Sequence, residues 1–200
     1  MTALEKALRQ ISVDLAATRH PFALIGGLAV SARTEPRFTR DADLAVAVAS
    51  DAEAEAVIRM VRRAGYEIEA IVKQDAVGRL ATARFRRSLE PTSPVIDLLF
   101  ASSGIDQEIV AEADEIELLP RLIIRVATIA HLMALKVLAR DDVSRPQDTG
   151  DLRALLRLAS PHDISQARSA LRLVTKRGYD RSRDLQTELE TLLRARHAPR

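Results

Sequence analysis

Apolar residues recur at two different spacings along the chain, and these spacings divide it into a mixed half and a helical half. In the first half, stretches of helical spacing alternate with short apolar runs that are typical of buried strands. Helices are predicted over 3–18, 28–33, 51–64 and 106–113, and strands over 22–25, 41–48, 66–72, 80–86 and 94–100. Short strands or extended segments are predicted over 115–119 and 122–126. After residue 127 only helical spacing is found, which predicts helices over 128–140, 148–159, 163–177 and 180–195. The pattern therefore predicts an α+β chain with a mixed part over 1–125 and a helical part over 126–200.

Composition narrows the range of functions without selecting one. The 200 residues carry 30 basic and 28 acidic side chains, and the resulting net charge of +2 permits a nucleic-acid partner without arguing for it. Only 3% of the residues are aromatic, which argues against binding of single strands by base stacking. The absence of cysteine excludes disulfides, thiolate zinc sites and a cysteine nucleophile. No apolar leader and no membrane-length apolar run is found, so we expect a cytoplasmic protein with no membrane partner.

Acidic residues open one predicted strand and interrupt another. Asp41 and Asp43 begin an apolar strand, and strand alternation directs both carboxylates to the same face. Asp97 lies inside a buried strand, where a charge needs either a partner or a metal ion. Its partner could be Arg84 or Arg86 on a neighbouring strand. If instead the strands of Asp43 and Asp97 are neighbours, three carboxylates converge, and such a set suits Mg²⁺ or Mn²⁺ in phosphoryl or nucleotidyl transfer.

A glycine pair precedes these acids. Gly26 and Gly27 stand between a short apolar run and a predicted helix, so backbone N–H groups there could approach a phosphate closely. Arg33, Arg37 and Arg40 lie between the glycines and the acids and could neutralise further phosphate charge. Together the glycines, arginines and acids predict a nucleotide–metal site.

This order of strand, Gly-Gly, helix, Asp-x-Asp strand and later strand acid resembles the DNA polymerase β-like nucleotidyltransferase superfamily. Within it, the chain is most similar to the bacterial AbiE-type (AbiEii-like) minimal nucleotidyltransferase toxins, over about residues 20–158. The resemblance implies a nucleotidyltransferase-like mixed β-sheet with flanking helices, followed by a C-terminal helical bundle. It also implies two groups of site residues: catalytic, metal-binding acids at Asp41, Asp43 and Asp97, and nucleotide-binding residues at Gly26, Gly27 and Arg40.

The toxin group also carries a second cluster, which consists of a helix lysine followed by an arginine and aspartates. Lys136, Arg145, Asp148 and Asp151 match these positions, and the resemblance implies catalytic roles for Lys136, Asp148 and Asp151. Structural alternatives exist for all three. Lys136 could extend its ammonium group from an apolar helix to solvent, and either aspartate could cap the helix that follows.

The resulting hypothesis is a metal-dependent nucleotidyltransferase that moves NMP from an NTP to an acceptor hydroxyl and releases pyrophosphate. Mg²⁺ or Mn²⁺ would be the cofactor. Resemblance to the toxins implies an RNA acceptor such as a tRNA end, and a cognate antitoxin as a partner. Two alternatives stay open at this point: an acceptor that is a small molecule or a protein, and a nucleotide-binding module without turnover.

Overall fold

The computed structural model describes residues 2–37, 39–75, 77–87, 93–141 and 146–196. Its helices are α1 (Ala3–Ala17), α2 (Gly26–Arg33), α3 (Asp51–Arg63), α4 (Asp106–Ala111), α5 (Ile129–Ala139), α6 (Pro146–Leu158), α7 (Pro161–Lys176) and α8 (Leu185–Arg196). Its strands are β1 (Phe22–Ile25), β2 (Ala42–Val46), β3 (Tyr66–Lys73), β4 (Leu80–Arg87), β5 (Ile96–Leu99), β6 (Asp114–Leu119) and β7 (Leu122–Val126).

The predicted elements are all present, and most of their ends lie within a few residues of the expected positions. Two of the differing starts have a cause in the backbone. Helix α2 begins at Gly26 and not after the glycine pair, because Gly26 takes a left-handed φ of 66° that turns the chain directly from strand into helix. Helix α8 begins at Leu185 and not at residue 180, since Arg181 and Ser182 also have positive φ angles and form a turn there.

The strands form one mixed sheet in the order β3-β4-β5-β2-β1-β7-β6. Strand β2 is antiparallel to β1 and parallel to β5, and β4 is antiparallel to β5. The sheet therefore confirms the mixed α+β architecture. Its centre, β5-β2-β1, holds the two strands that carry Asp43 and Asp97 beside the strand that leads into the glycine pair.

One continuous core joins the sheet to the helices. Leu8, Ile11 and Leu15 of α1 recur at helical spacing and are fully buried. In the helical half, α5 is buried on most of its surface and packs against α2, α6, α7 and α8. No described helix is both long and apolar enough to cross a membrane. The central place of α5 brings its one lysine, Lys136, to the inside of the molecule.

Candidate active site

The register of the sheet places two acids side by side on adjacent strands. Asp43 on β2 pairs directly with Asp97 on the parallel strand β5, which is the neighbour relationship that the sequence hypothesis required. Residues in register on adjacent strands project from the same face. Asp97 is buried, and Asp41 lies immediately before β2. The structure thus brings the three predicted acids to the same end of two central strands.

Asp43 has a strongly perturbed carboxyl group. Burial raises its pKa to about 6, and the negative charges of Asp97 and Asp41 contribute in the same direction. The positive charges of Lys136 and Arg84 oppose this rise. The carboxylate is therefore held among like charges that two cationic side chains balance only in part, which favours the arrival of a further cation.

The turn before α2 is in contact with this carboxylate. A Cβ atom added at Gly26 would lie 1.9 Å from Oδ2 of Asp43, so only glycine fits there. A Cβ atom at Gly27 would lie 2.5 Å from Nη2 of Arg37, which places that guanidinium group against the backbone of the turn. The glycine pair, an acid and an arginine therefore form one compact surface at the start of α2.

Gly26→Ala is expected to remove activity and to destabilise the fold. The methyl group would clash with Asp43 and would also be strained at positive φ, so we expect the free energy of unfolding to fall by roughly 2–4 kcal/mol. The matched control is Gly65→Ala, which has a φ of 94° but open space around the added methyl. The control is expected to lose only about 1 kcal/mol and to stay active. Urea unfolding and transfer assays test this, and equal losses in the two variants would contradict it.

Four charged side chains form a second cluster beside the first. Lys136 on α5 lies 2.6 Å from Oδ1 of Asp148 and 2.7 Å from Oδ2 of Asp151, both on α6. Arg37 donates two hydrogen bonds to Asp151, at 2.6 Å from Nε and 2.7 Å from Nη2. The lysine side chain is only 11% exposed. Lys136 is therefore an internal ion-pair partner and does not extend to solvent.

The two aspartates act as partners of these cations. Asp148 and Asp151 are three residues apart and share a helix face that is turned toward α5. Both are buried, and Oδ2 of Asp148 is buried without a hydrogen-bond partner. An orphaned oxygen of this kind is costly in a merely structural ion pair, so it marks the cluster as a site at which a further polar group could bind.

The two clusters form one site. Arg37 joins them, since its guanidinium group rests on Gly27 and binds Asp151. Lys136 joins them as well, because its charge acts on the pKa of Asp43. The assembled site offers carboxylates for a cation, backbone N–H groups for phosphate, and two held cationic groups. A phosphate–metal complex is the ligand that this combination of charges fits.

Three further arginines were candidates for the site on the basis of the sequence. Arg33 donates to the carbonyl oxygens of Val126 and Ala127 and pairs with Asp114, so it stabilises the end of β7. Arg40 is exposed next to Asp41. Arg145, the arginine of the second cluster, lies outside the described residues.

Arg84 is the residue whose role the sequence could not settle. It lies opposite Asp97 on β4 and donates two hydrogen bonds to it, at 2.9 Å from Nε and 2.7 Å from Nη2. The ion-pair alternative for Asp97 is thus present in the structure.

In the part of the chain described, no three carboxylate or imidazole groups are close enough to ligate one metal ion. The all-oxygen donors Asp41 and Asp43 fit a hard divalent cation, whereas Asp97 carries an arginine on both oxygens.

Solved structures with this fold include two that are described as a nucleotidyltransferase-like protein and an adenylyltransferase. An antigenic nucleotidyltransferase-like protein from Paracoccidioides brasiliensis is 19% identical with a TM-score of 0.52, over 94% of this chain and 92% of that chain. The lincosamide antibiotic adenylyltransferase LnuA, lincomycin-bound, is 15% identical with a TM-score of 0.50, over 78% of this chain and 98% of that chain.

The sequence profile of the nucleotidyl transferase AbiEii toxin family, of a type IV toxin–antitoxin system, matches residues 6–199. The chain therefore belongs to the AbiEii family of nucleotidyltransferase toxins. No curated protein matches the chain in sequence. Family membership confirms the resemblance, the enzyme class and the toxin–antitoxin association that the sequence motifs predicted.

Proposed function

We propose that this chain is a metal-dependent enzyme that transfers NMP from an NTP to a hydroxyl group at the end of an RNA, with tRNA as the acceptor. One observation carries the proposal: Asp43 lies in contact with Gly26 and in register with Asp97. This arrangement sets the glycine turn, at which a phosphate would bind, directly against a pair of strand acids. Family membership supports nucleotidyl transfer, and the toxin character of the family favours an acceptor on which the cell depends. We place the reaction in the cytoplasm, with a cognate antitoxin as its restraint.

The triphosphate would bind at the start of α2. The N–H groups of the first helical turn, beginning at Gly26 and Gly27, are directed at this position, and the helix dipole favours an anion there. Arg37 is held beside Gly27 by Asp151, and Lys136 supplies a fixed positive charge close to Asp43. These groups would orient the phosphates before the acceptor arrives.

The acids would serve the cation and the acceptor. Asp41 and Asp43 would hold Mg²⁺ or Mn²⁺, which when bound neutralises phosphate charge and activates the α-phosphate toward attack. Asp97 would orient the acceptor hydroxyl and receive its proton. The oxygen then bonds to the α-phosphorus, the bond to the β-phosphate breaks, and pyrophosphate leaves with the displaced electron pair.

Label transfer from each α-³²P-NTP to purified tRNA, with Mg²⁺ or Mn²⁺, tests the proposal. We expect labelled tRNA with the natural chain and none with Asp41→Ala/Asp43→Ala. Periodate-oxidised tRNA, which lacks the terminal diol, is the acceptor control and should stay unlabelled. Label on small molecules or protein in place of RNA would show that the acceptor is wrong, and an absence of pyrophosphate with every acceptor would overturn the proposed activity.

A further inference from the structure

The two partners of the Arg84–Asp97 ion pair differ in their exposure to solvent. Asp97 is buried at the edge of the acid cluster, with a side chain 11% exposed, whereas the Arg84 side chain is 47% exposed. The guanidinium group approaches both carboxylate oxygens with two parallel hydrogen bonds, the geometry that arginine adopts with carboxylates and phosphates alike. Asp97 is therefore fixed in the protein, and Arg84 has open solvent into which it can move.

This pairing conflicts with a cation at the same carboxylate. A divalent ion on Asp97 would lie close to the guanidinium group that already occupies both oxygens, and the two positive centres would repel each other. Asp43, which faces Asp97 across the strand pair, carries no comparable arginine pair among the described contacts. Within the acid cluster, Asp41 and Asp43 are therefore available to a cation, whereas Asp97 is paired with Arg84.

We propose that Arg84 is a displaceable partner of Asp97 that competes with divalent cations for this carboxylate. The inference rests on the proposed metal-dependent function and adds a control to it. With Arg84 in place, the site holds a cation only through Asp41 and Asp43, and Asp97 joins when Arg84 leaves. A substrate phosphate offers Arg84 the same two-oxygen geometry as Asp97. When substrate binds, Arg84 therefore moves from Asp97 to the phosphate, and the Asp97 carboxylate is released. Arg84 is a positioning residue in this scheme.

Mn²⁺ binding to the full chain, without nucleotide or acceptor, tests the competition through free-Mn²⁺ electron paramagnetic resonance and calorimetry. Arg84→Gln is expected to bind Mn²⁺ about tenfold more tightly than the natural chain, or to bind one ion more, because one charge-assisted partner has been removed. Arg84→Lys, which keeps the charge but has no two-pronged fork, should fall between them. It also provides a readout if the glutamine variant does not fold.

Two further variants separate local competition from a general change in charge. Arg86 lies two residues further along the same strand and pairs with Glu69, so Arg86→Gln is matched in charge and should bind Mn²⁺ as the natural chain does. Arg84→Gln/Asp97→Asn should lose the gain. Unchanged or weaker binding in both Arg84 variants, or a gain that survives without Asp97, overturns the inference.

A different variant, Asp43→Asn, tests the proposed metal-dependent function separately from the role of Arg84. Asp43→Asn should remove the binding that the natural chain shows. If it does so while Arg84→Gln has no effect, the metal site stands and only the role of Arg84 is wrong. If neither the natural chain nor any variant binds Mn²⁺, the metal-dependent function and the competition are both wrong.

Discussion

Asp43→Asn is expected to lower nucleotidyl transfer by about a thousandfold or more while the fold is kept. The asparagine has nearly the same shape, so the contact with Gly26 and the register with Asp97 are preserved. The lost group is the negative charge that would hold the cation, and electrostatic stabilisation of this kind supplies a large share of catalysis in phosphoryl chemistry. Initial rates of label transfer give the loss, and circular dichroism gives the fold.

The same variant should make the metal-free protein more stable near neutral pH. In the folded chain burial raises the pKa of Asp43 from near 4 to about 6, so the native state binds more protons than the unfolded state between these values. The unfolding free energy of the natural chain therefore falls as pH rises through this window, by about 3 kcal/mol for two units. Asparagine removes this loss. Urea unfolding in EDTA should show similar stabilities at pH 4 and an advantage for the variant at pH 8.

Two results with Asp43→Asn would contradict these predictions. If Asp43→Asn kept most of its transfer activity, Asp43 could not be the principal acid of the site. If its unfolding free energy fell at pH 8, the carboxylate would be a stabilising group and the account of its environment would be wrong. Asp75→Asn, in the exposed turn after β3, is the control for loss of one acidic charge.

Lys136→Met is expected to lower the free energy of unfolding by about 3–5 kcal/mol. The ammonium group is the hydrogen-bonded partner of Asp148 and also binds Asp151. Methionine leaves the buried carboxylate of Asp148 without that partner, whereas Asp151 retains its pair with Arg37. Urea unfolding measures the loss.

The compensating variant is Lys136→Met/Asp148→Asn, which removes both charges of one pair. It should recover at least half of the lost stability, because no uncompensated carboxylate is then buried at residue 148. Transfer activity should stay low in both variants if Lys136 also balances phosphate charge. Equal stability of Lys136→Met and the natural chain would show that the cluster does not depend on this ion pair.

The sequence predicted the strands and the positions of the acids on them because these follow from local patterns, whereas the convergence of the acids depended on the order of the strands. Alternation over 41–48 gave the shared face of Asp41 and Asp43, and an acid inside an apolar run gave the burial of Asp97. The register of β2 with β5 then confirmed their adjacency. Gly26 was identified as a turn residue, but its direct contact with Asp43 depends on tertiary packing and has no local signal.

Long-range pairs were beyond the reach of local patterns. Arg37 and Asp151 are separated by 114 positions, and nothing near either residue indicates the other. Arg84 was one of two arginines considered for Asp97, since both stand on the same face of β4. Only the strand register selects Arg84, because it places that residue directly opposite Asp97. Spacing shows which side chains share a surface, whereas register and packing decide which of them touch.

The link between Arg37 and Asp151 also bears on the order in which the site is completed while the chain is synthesised. Translation produces the glycine turn and the strand acids first, and domains fold in the order in which they emerge. A nascent chain that ends before α6 has neither Asp148 nor Asp151, so Lys136 and Arg37 lack the carboxylates that hold them in the site. The site is therefore completed only after α6 has been synthesised, and a chain that ends before α6 has an incomplete site.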